Sequence, residues 1–576
     1  MKKIIALVLS LCFIFGFSAI GPLSTGVSAA GPAVNSQDVK IYALSEWAQD
    51  YISLPSGYAT EFQLTVSGAS SVYFRVTEGY TVEVSSSGLI TPSYLTYWDG
   101  SKGVNFGRSV ITVTADGVKL TVNVEVINYA NVYADKVLDD FIASNVTADM
   151  TGYEKICLAA KFAADHEYSA GYSSCAGMVI TGGGDCWAST DTIIQICTKL
   201  GIEAWARNGN RDYGAGSGHM NAMAYADGKY YEAEAGYYEP APRYYSVTER
   251  KSLFSYRYDY TYGGLEVYQY DAKEMPEKLI VPEQIDGVPV VSLGNNFVIS
   301  VGGLKEVVLP DTVKHIGDSA FNSCADLQTV NIPSSLVDLG EFVFTNCKNL
   351  KELTGGNDIF VWENGGLVKN GRTLLYVPNA DSYVIKDTVT EIAPYAFYYN
   401  SSIKTVTVPP SVTAIGEGAF GNCTALQSVD IKGDSLRVLD SFAFTYASSL
   451  GAVYVPDSVT EIGENLSYGL GPNFMILCRQ GSDIAQYAEE HEIPYSFVPD
   501  DYEDFVKGDI NDDGEVNNKD VVILFRLMSG ENVKVNTYAL DPNGDGFVDN
   551  KDVVQLFRYC SGENVTISGV PYLTEQ

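Results

Sequence analysis

Between about residues 265 and 498 the chain repeats itself every 23 residues, and this period constrains the fold more than any other feature. A unit this short cannot bury its own apolar side, whereas stacked units share a continuous core. The period therefore predicts a solenoid. It fails from Leu350 to Asp381, where a hairpin insertion is expected. One period separates Leu304 and Leu327, Pro310 and Pro333, Phe321 and Phe344, Cys324 and Cys347, Ile392 and Ile415, and Phe397 and Phe420.

The repeated unit reads L-x-x-V-x-[LIV]-P-x-x-[VL]-x-x-[IL]-G-x-x-x-F-x-x-C, which resembles the leucine-rich repeats of the BspA type. The resemblance covers residues 265–498 and implies a leucine-rich-repeat solenoid with a concave surface for a protein or glycan partner. Cys324, Cys347 and Cys423 share one position of the unit. We expect them to form a buried structural ladder rather than a metal site, because no histidine accompanies them.

Near the C-terminus, DINDDGEVNNKD (509–520) recurs 32 residues later as DPNGDGFVDNKD (541–552). Side-chain oxygens fall at loop positions 1, 3, 5, 9 and 12, and Gly514 and Gly546 occupy position 6, where the backbone must turn sharply. This is the pattern of a calcium loop. The alternative, two acidic turns on a solvated surface, would require this pattern to arise twice by chance. The candidate ligands, with position 7 included, are Asp509, Asn511, Asp513, Glu515, Asn517 and Asp520 in the first loop and Asp541, Asn543, Asp545, Phe547, Asp549 and Asp552 in the second.

An apolar helical stretch follows each loop, VVILFRLMSG in the first copy and VVQLFRYCSG in the second. Loops and helices together resemble the dockerin module of cellulosomes over residues 504–568. The resemblance implies a small α-helical calcium-loop module with two structural Ca²⁺ ions. It also implies secretion and docking onto a cohesin module of a scaffoldin, which would associate the protein with a cellulosome at the cell surface.

The first 30 residues predict a secretory signal peptide, because Lys2 and Lys3 precede an apolar run from Ile4 to Ile20 and small residues up to Ala30. No later stretch is apolar over the ~20 residues that a membrane span needs. Acidic residues outnumber basic ones 71 to 37. This excess argues against nucleic acid or an anionic membrane surface as partner. A chain of 576 residues is too long for one core and predicts several domains.

Cysteine usage does not predict a disulfide-stabilised fold. Cys12 belongs to the predicted signal peptide, and nine cysteines follow it. An odd number leaves at least one thiol free or paired between chains. A complete disulfide framework is therefore not expected.

Residues 37–128 alternate apolar and polar side chains, as in SVYFRVTEGYTVEVSSSGLIT and SVITVTADGVKLTVNVEV, with glycines at the turns. This period of two predicts short antiparallel strands packed as a β-sandwich. The segments VEVSSSGLIT and SVITVTADG resemble bacterial immunoglobulin-like modules. That resemblance implies a spacer rather than a binding site.

The residues that predict chemistry lie in the segment 130–263. The sequence TGGGDCW places Cys186 at the start of an amphipathic helix, where free N–H groups and the helix dipole favour a thiolate. A thiolate nucleophile needs a neighbour that moves protons, and of the four histidines only His219 opens a strand. In GHMNAMAYADGKYYEAEAGY a two-residue turn at DG brings Glu234 back beside His219, where it would fix the imidazole tautomer.

The GDCW start, the helix ending in LGIEAWAR, and the spacing of the histidine, the DGK turn and the acid resemble the transglutaminase-like superfamily. The resemblance covers about 130 residues and implies an α+β papain-like fold. By position it makes Cys186 the nucleophile, His219 the base and Glu234 the orienting acid. Glu replaces the usual Asp, and no Gln or Trp precedes Cys186 to complete an oxyanion hole. Tyr168 or Tyr172 is the candidate for that role beside the Cys186 N–H.

The favoured hypothesis is a secreted cellulosomal cysteine peptidase or amidase that acts on peptide or Gln-type amide bonds through a thioester. Hydrolysis is favoured over transamidation, because nothing in the sequence indicates a site for a competing amine. The alternatives are a disulfide between Cys175 and Cys186 or a domain that has lost catalysis, and with either the protein would be an adhesin-like binder using its solenoid. An accessory role in polysaccharide degradation is suggested only by the dockerin, since no catalytic-carboxylate motif supports it.

Overall fold

The computed structural model describes residues 31–96, 102–169, 171–209, 219–235, 245–471, 474–498, 508–536, 539–543, 547–563, 565 and 567. The predicted signal peptide, residues 1–30, lies outside these ranges. The chain divides into two compact units, Met1–Thr248 and Glu249–Gln576, which are described separately. Within the described ranges, no helix combines the length and apolar character required to cross a bilayer.

The first part of unit 1 is a β-sandwich. One sheet has the order β2-β11-β10-β5 and the other β3-β7-β6, and both contribute to one apolar cluster around Ile41, Ile90 and Ile111. The elements are β1 (Ala33–Val34), β2 (Asp38–Ala43), α1 (Glu46–Gln49), β3 (Phe62–Gln63), β4 (Val66–Ser67), β5 (Val72–Glu78), β6 (Val82–Val84), β7 (Leu89–Pro92), β8 (Tyr94–Thr96), β9 (Lys102–Val104), β10 (Gly107–Ala115) and β11 (Val118–Asn128).

The sandwich differs from the antiparallel arrangement expected from the sequence at one edge. β10 and β11 pair antiparallel across the Asp116-Gly117 turn, where both residues have positive φ. β2, however, pairs with β11 in parallel, from Asp38 opposite Asn123 onward. The alternation of side chains fixes which face of a strand is buried but carries no information on strand direction, and the long connection from β2 to β11 permits either.

The second part of unit 1 packs helices on one face of an antiparallel sheet with the order β14-β15-β16-β17. Ala222, Ala224 and Ala233 face α5 in the shared core, and such small side chains allow the helix to approach the sheet closely. The elements are α2 (Tyr129–Asn145), α3 (Gly152–Ala164), β12 (Glu167–Tyr168), α4 (Cys175–Thr181), β13 (Gly183–Gly184), α5 (Cys186–Lys199), β14 (Glu203–Asn208), β15 (Met220–Ala226), β16 (Lys229–Ala235) and β17 (Tyr245–Arg250).

Most of unit 2 is a parallel β-solenoid. Strands pair at the repeat distance, with Glu306 opposite Thr329 and Thr329 opposite Glu352. The strands are β18 (Phe254–Asp259), β19 (Gly264–Tyr270), β20 (Lys278–Ile280), β21 (Gln284–Ile285), β22 (Val288–Leu293), β23 (Glu306–Val308), β24 (His315–Ile316), β25 (Thr329–Ile332), β26 (Asp338–Leu339), β27 (Glu352–Gly355), β28 (Phe360–Glu363), β29 (Gly366–Lys369), β30 (Thr373–Tyr376), β31 (Ser382–Val384), β32 (Glu391–Ile392), β33 (Thr405–Val408), β34 (Ala414–Ile415), β35 (Ser428–Ile431), β36 (Val438–Leu439), β37 (Ala452–Tyr454), β38 (Glu461–Ile462), β39 (Met475–Cys478) and β40 (Tyr495–Phe497), with the helix α6 (Asp483–Glu490) near the end.

The interruption expected between Leu350 and Asp381 is an antiparallel hairpin series in which β28, β29 and β30 pair in order. β30 then pairs in parallel with β32, which restarts the solenoid. At the other end, β18 pairs antiparallel with β19 in the solenoid sheet, and both strands belong to unit 2.

The interior of the solenoid consists of repeated side chains stacked one period apart. The ring centroids of Phe321 and Phe344 are 5.8 Å apart, and the two ring planes are nearly parallel. The expected cysteine ladder is confirmed. The buried thiols of Cys324, Cys347 and Cys423 each donate to a carbonyl 26 residues earlier, at 2.8, 3.0 and 3.0 Å. The repeat thus satisfies interior polar atoms in every turn that carries a cysteine.

The C-terminal part of unit 2 contains two helices of equal length, α7 (Asn518–Met528) and α8 (Asn550–Cys560). Each begins with a capping box, formed by Asn517 with Asp520 and by Asp549 with Asp552. Their apolar faces meet in a small core that includes Leu524 and Leu556, both fully buried.

Candidate active site and calcium loops

Cys186 is the first residue of α5. The side chain of Asp185, the residue that caps the helix, accepts the N–H of Ala188 at 2.9 Å. Glycines precede the cap, and a Cβ on Gly184 would come within 2.6 Å of the Ala188 side chain. Gly184 therefore allows the chain to pass close to the first turn of α5. Cys186 then lies at the N-terminus of the helix, where the dipole favours the thiolate.

His219 and Glu234 approach Cys186 from the neighbouring hairpin. β15 and β16 are joined by the turn at Asp227 and Gly228, both with positive φ, as the sequence predicts. Glu234 Oε1 lies 3.2 Å from His219 Nε2, and both side chains are mostly shielded, at 17% exposed for the histidine and 26% for the glutamate. Because Nε2 faces Glu234, Nδ1 is the ring atom available to Cys186.

The thiol of Cys186 hydrogen-bonds with His219 and also receives the main-chain N–H of Met220. The bond with His219 lowers the pKa of Cys186 and outweighs burial, which alone would raise it. Reciprocally, the hydrogen bonds with Cys186 and then Glu234 raise the pKa of His219 to about 10. The favoured charge state is therefore a thiolate beside an imidazolium, with a carboxylate behind it.

The other thiols of this unit have the opposite character. Cys175 and Cys197 are buried, and burial raises the pKa of each to about 12. Burial also raises the pKa of the partly buried Cys157. All nine described cysteines are free thiols, so the alternative disulfide between Cys175 and Cys186 is not formed in this structure.

The two tyrosines considered for the oxyanion hole are placed differently. The hydroxyl of Tyr172 hydrogen-bonds with Tyr51, and its ring packs 5.4 Å from Trp47. Tyr168 instead pairs with Gly184 between β12 and β13, and Gly184 is two residues before Cys186 in the chain. The Tyr172 hydroxyl is thus already engaged with Tyr51, which leaves Tyr168 as the candidate for that role.

A polar network beside the histidine was not anticipated from the sequence. The buried Arg207 on β14 donates to Asn221 on β15 at 3.3 Å, and Asn221 donates to Glu232 on β16 at 2.9 Å. Asn221 and Glu232 each stand two residues from a candidate site residue, so the period of two places them on the same sheet face. The alternation of side chains could have indicated that Asn221 and Glu232 share a face with the candidate site. It could not have indicated that Arg207 hydrogen-bonds with Asn221.

The first calcium loop is organised around two buried carboxylates. Asp520 is fully buried and accepts the main-chain N–H groups of Ile510, Asn511 and Asn517 at 2.9, 3.1 and 2.8 Å. Asp509, 1% exposed, accepts those of Asp513 and Gly514. The loop therefore folds around its first and last acidic positions.

The second loop has the same plan over the part that is described. Asp541 and Asp552 are buried, at 3% and 0% exposed, and Asp552 accepts the N–H groups of Asn543 and Asp549. Asp545 and Gly546 lie outside the described residues.

The residues present fit a hard cation. Asn511 Oδ1 is buried without a hydrogen-bond partner, and burying an oxygen in this way is costly unless an ion or donor meets it. Among the described residues, no three His, Cys, Asp or Glu side chains are gathered as a metal cluster. In the first loop Lys519 forms an ion pair with Asp513, with Nζ 2.9 Å from Oδ2. The oxygen-only ligand set is the kind that Ca²⁺ prefers.

Two parts of the chain match known families. Residues 291–365 and 372–488 match the BspA type leucine rich repeat region in six copies. Residues 507–560 match the dockerin type I domain. No match was found among curated proteins.

Several solved structures with similarity to this chain are leucine-rich repeat proteins. One from Bacteroides ovatus shows 19% identity and a TM-score of 0.31 over 42% of this chain and 66% of its own, so the chain spans just under two thirds of that protein. The pneumococcal vaccine antigen PcpA shows 19% identity and a TM-score of 0.30, over 44% of this chain and 81% of its own. The leucine-rich repeat protein of T. pallidum shows 20% identity and a TM-score of 0.24, over 43% and 95%.

The matched regions coincide with the solenoid and with the two calcium loops and their helices. Type I dockerin domains bind calcium and imply a cohesin as partner, and repeats of this kind suggest protein binding. Together they point to an extracellular, cell-surface or cellulosomal protein. The chain thus combines a BspA-type leucine-rich repeat solenoid with a type I dockerin domain.

Proposed function

We propose that the protein is a secreted, cellulosome-associated cysteine peptidase or amidase of the transglutaminase-like type, tethered to a scaffoldin cohesin through its dockerin. Residues 37–128 would be an immunoglobulin-like spacer, and the following α+β part of unit 1 the catalytic domain. The dockerin would hold two Ca²⁺ ions. Hydrolysis of peptide or Gln-type amide bonds is preferred over transamidation.

The observation that carries this proposal is the hydrogen-bonded series from Cys186 to His219 to Glu234, with Glu234 3.2 Å from the imidazole. In the reaction, the Cys186 thiolate attacks the amide carbon and forms a tetrahedral oxyanion. The His219 imidazolium then donates its proton to the departing amine, and a thioester remains. Neutral His219 takes a proton from water, the resulting hydroxide displaces the thiolate, and a carboxylic acid is released.

Each neighbouring group has one task in this scheme. Glu234 keeps the imidazole oriented and stabilises its charge. The Cys186 N–H at the helix start supplies one donor for the oxyanion, and the Tyr168 hydroxyl is proposed as the second. Arg207 and Asn221 act indirectly, because they join the strands on which the histidine and the glutamate lie.

The test uses the full reduced chain and a glutamine-containing peptide that carries a chloromethyl ketone. Mass spectrometry after digestion should find the label on Cys186 and not on Cys157, a partly buried thiol in the same unit with a raised pKa. Labelling should disappear in Cys186→Ser and fall strongly in His219→Ala. Equal labelling of both thiols, or no labelling of Cys186, would overturn the enzymatic proposal.

The second candidate is a non-catalytic, adhesin-like binding protein, favoured by the six matched repeats. In that case the solenoid binds protein or glycan, or the protein assists polysaccharide degradation, while the α+β part serves as a scaffold. A Cys186→Ser variant that retains every binding activity of the full chain, with no amide turnover by the native protein, would favour this candidate.

A further inference from the structure

One edge of the solenoid is formed by turn segments that stack from repeat to repeat. The segments are GDSAFNS (317–323), GEFVFTN (340–346), APYAFYY (393–399), GEGAFGN (416–422), DSFAFTY (440–446) and GENLSYG (463–469). Main-chain hydrogen bonds join the first two segments to each other and the last four in order, as from Tyr395 to Glu417 and from Phe442 to Glu464. Side chains at equivalent positions are therefore held in register along this edge.

Each segment has two positions with a left-handed backbone. Small residues or asparagine occupy them in several repeats, for example Ser319, Asn346 and Asn422 with φ of 55, 59 and 58°. Tyr399 and Tyr446 occupy the second position with φ of 61 and 56°. Bulky side chains rarely adopt this conformation because it costs energy, and such residues concentrate at functional sites.

The aromatic side chains along this edge form two groups of neighbouring rings, in segments 393–399 and 440–469, which together we call the aromatic ridge. Tyr399, Tyr446 and Tyr468 are 45, 46 and 58% exposed. Three glycines leave space for rings of the ridge. A Cβ on Gly418, Gly421 or Gly469 would come within 2.8 Å of the ring of an aromatic residue in the preceding repeat. The rings are thus fixed before any ligand arrives, which reduces the entropy lost on binding. The ridge consists of Tyr395, Tyr398, Tyr399, Phe442, Tyr446 and Tyr468.

Neighbouring rings in the ridge cross at steep angles. The planes of Tyr398 and Tyr399 meet at 83° with centroids 4.8 Å apart, and those of Tyr446 and Tyr468 at 79° and 5.4 Å. Sugar rings stack on flat platforms whose aromatic faces point the same way. Crossed rings do not form such a shared platform, but each exposed ring face can still accept a cationic side chain.

The charged residues in the six segments are all acidic. Glu341, Glu417, Asp440 and Glu464 belong to its segments, and the six segments contain no Lys, Arg or His. Glu341 and Glu464 are exposed, while Glu417 accepts the hydroxyl of Tyr395 at 2.8 Å. Carboxylates next to electron-rich ring faces attract positive charge at long and at short range.

We propose that the aromatic ridge binds a cationic polypeptide segment, with Lys or Arg side chains lying against the exposed ring faces and paired with the adjacent carboxylates. The ridge belongs to unit 2 and Cys186 to unit 1, so the proposal stands whether or not unit 1 is an enzyme. The neutral glycan that exposed tyrosines also suggest is disfavoured by the ring angles.

The test measures binding of a fluorescein-labelled Lys-Gly repeat peptide of ten residues to the full chain by anisotropy, with a Glu-Gly peptide and cellohexaose as comparison ligands. The variant Tyr399→Asn/Tyr446→Asn should weaken Lys-Gly binding about five- to tenfold, since two cation–π contacts are lost. Asparagine already occupies this turn position in two repeats and tolerates the left-handed backbone, so the variant is expected to fold.

Two matched controls separate the ridge from the overall negative charge. Tyr80→Ser removes a tyrosine that is 88% exposed elsewhere, and it should leave binding unchanged. Glu341→Gln/Glu464→Gln should weaken binding more than Glu274→Gln/Glu352→Gln, which changes the net charge equally. Equal effects within each matched pair would mean that only bulk charge attracts the peptide. Cellohexaose binding that is lost in the tyrosine variant would identify a glycan surface instead, and either result overturns the proposal.

Discussion

At the scale of single residues, the contrast between Cys186 and Cys157 shows how position decides the chemistry of a thiol. Both are partly buried and both lie in unit 1. Cys157 has Tyr153 as its hydrogen-bond partner and a raised pKa because burial dominates. Cys186 has an imidazole and a helix N-terminus, and its pKa is lowered. The pKa of the same side chain is thus shifted in opposite directions at the two sites.

This contrast predicts the pH dependence of alkylation. The thiolate of Cys186 is present above its lowered pKa, so iodoacetamide should modify it rapidly at neutral pH and more slowly only as the pH falls well below the ~8.5 of a free cysteine. In His219→Ala the favourable cation is lost, and the transition should move to higher pH. Glu234→Gln should leave the thiol reactive but reduce turnover. Mass spectrometry of the two cysteine peptides gives both rates in one sample, with Cys157 as the internal control. A Cys186 profile that matches Cys157 and ignores His219 would contradict the ion pair.

A second residue-scale prediction concerns Gly463. A Cβ at this position would lie 2.0 Å from the main-chain nitrogen of Ser441 in the preceding repeat, and at Gly416 the corresponding distance to Pro394 is 2.6 Å. Gly463→Ala should therefore force adjacent repeats apart and destabilise the solenoid by about 1–3 kcal/mol. Gly302→Ala is the control, because the nearest atom to its Cβ would be a side-chain oxygen at 3.8 Å. The thermal midpoint of the solenoid should fall in the first variant and stay in the second. Equal midpoints would mean that the repeats absorb the methyl group.

At the scale of elements, the sequence predicted whatever depends on local pattern. The 23-residue period corresponds to strand partners such as Thr405 and Ser428, and its failure after Leu350 corresponds to a real hairpin insertion. The DG turn and the helix that begins at Cys186 were also predicted from the sequence. Strand direction at the sandwich edge was not, because alternation is the same in either direction. β18 pairs in the same sheet as the solenoid strands although it lacks the repeat pattern.

The candidate site was predictable to the extent that its members carry position-specific signals. Cys186 follows a helix-start pattern and His219 opens a hairpin, but nothing local in the sequence links Arg207 to Asn221 and Glu232. These residues meet through the register of three strands, which is fixed by packing rather than by any one strand.

The two C-terminal helices predict a dockerin that binds in either of two orientations. Val522 and Phe525 on α7 are 55 and 57% exposed, and Val554 and Phe557 on α8 are 55 and 53% exposed. Each helix carries a lysine before this Val-Phe pair and an arginine after it, at equivalent positions. If the two faces are equivalent, Lys519→Ala/Arg526→Ala should weaken binding to a scaffoldin cohesin only slightly, because the second face remains.

Adding Lys551→Ala and Arg558→Ala to that variant should abolish binding. Surface plasmon resonance with a cohesin that the native chain recognises provides the measurement. Lys551→Ala/Arg558→Ala alone is the matched control, and it should resemble the first pair. Complete loss from either pair alone would show that a single face binds.

At the scale of the whole molecule, Cys186 and the predicted calcium loops belong to different compact units. Cys186 depends on contacts within unit 1, and the loops depend on carboxylates within unit 2. Metal binding that is coupled to folding stabilises only the structure that contains the ligands. Attachment and chemistry should therefore respond to different conditions.

Removal of calcium should accordingly separate the two functions. Without the ion, the oxygens gathered around Asp509 and Asp520 repel one another, so a chelator should increase hydrogen exchange in α7 and α8 and release the protein from cohesin. Labelling of Cys186 by the peptide chloromethyl ketone should continue at an unchanged rate. The control is Asp520→Asn/Asp552→Asn, which should reproduce the loss of cohesin binding in the presence of calcium. If the chelator leaves exchange in both helices unchanged, the loops do not fold around an ion. If it slows Cys186 labelling, the two units are coupled, and the tether also regulates the chemistry.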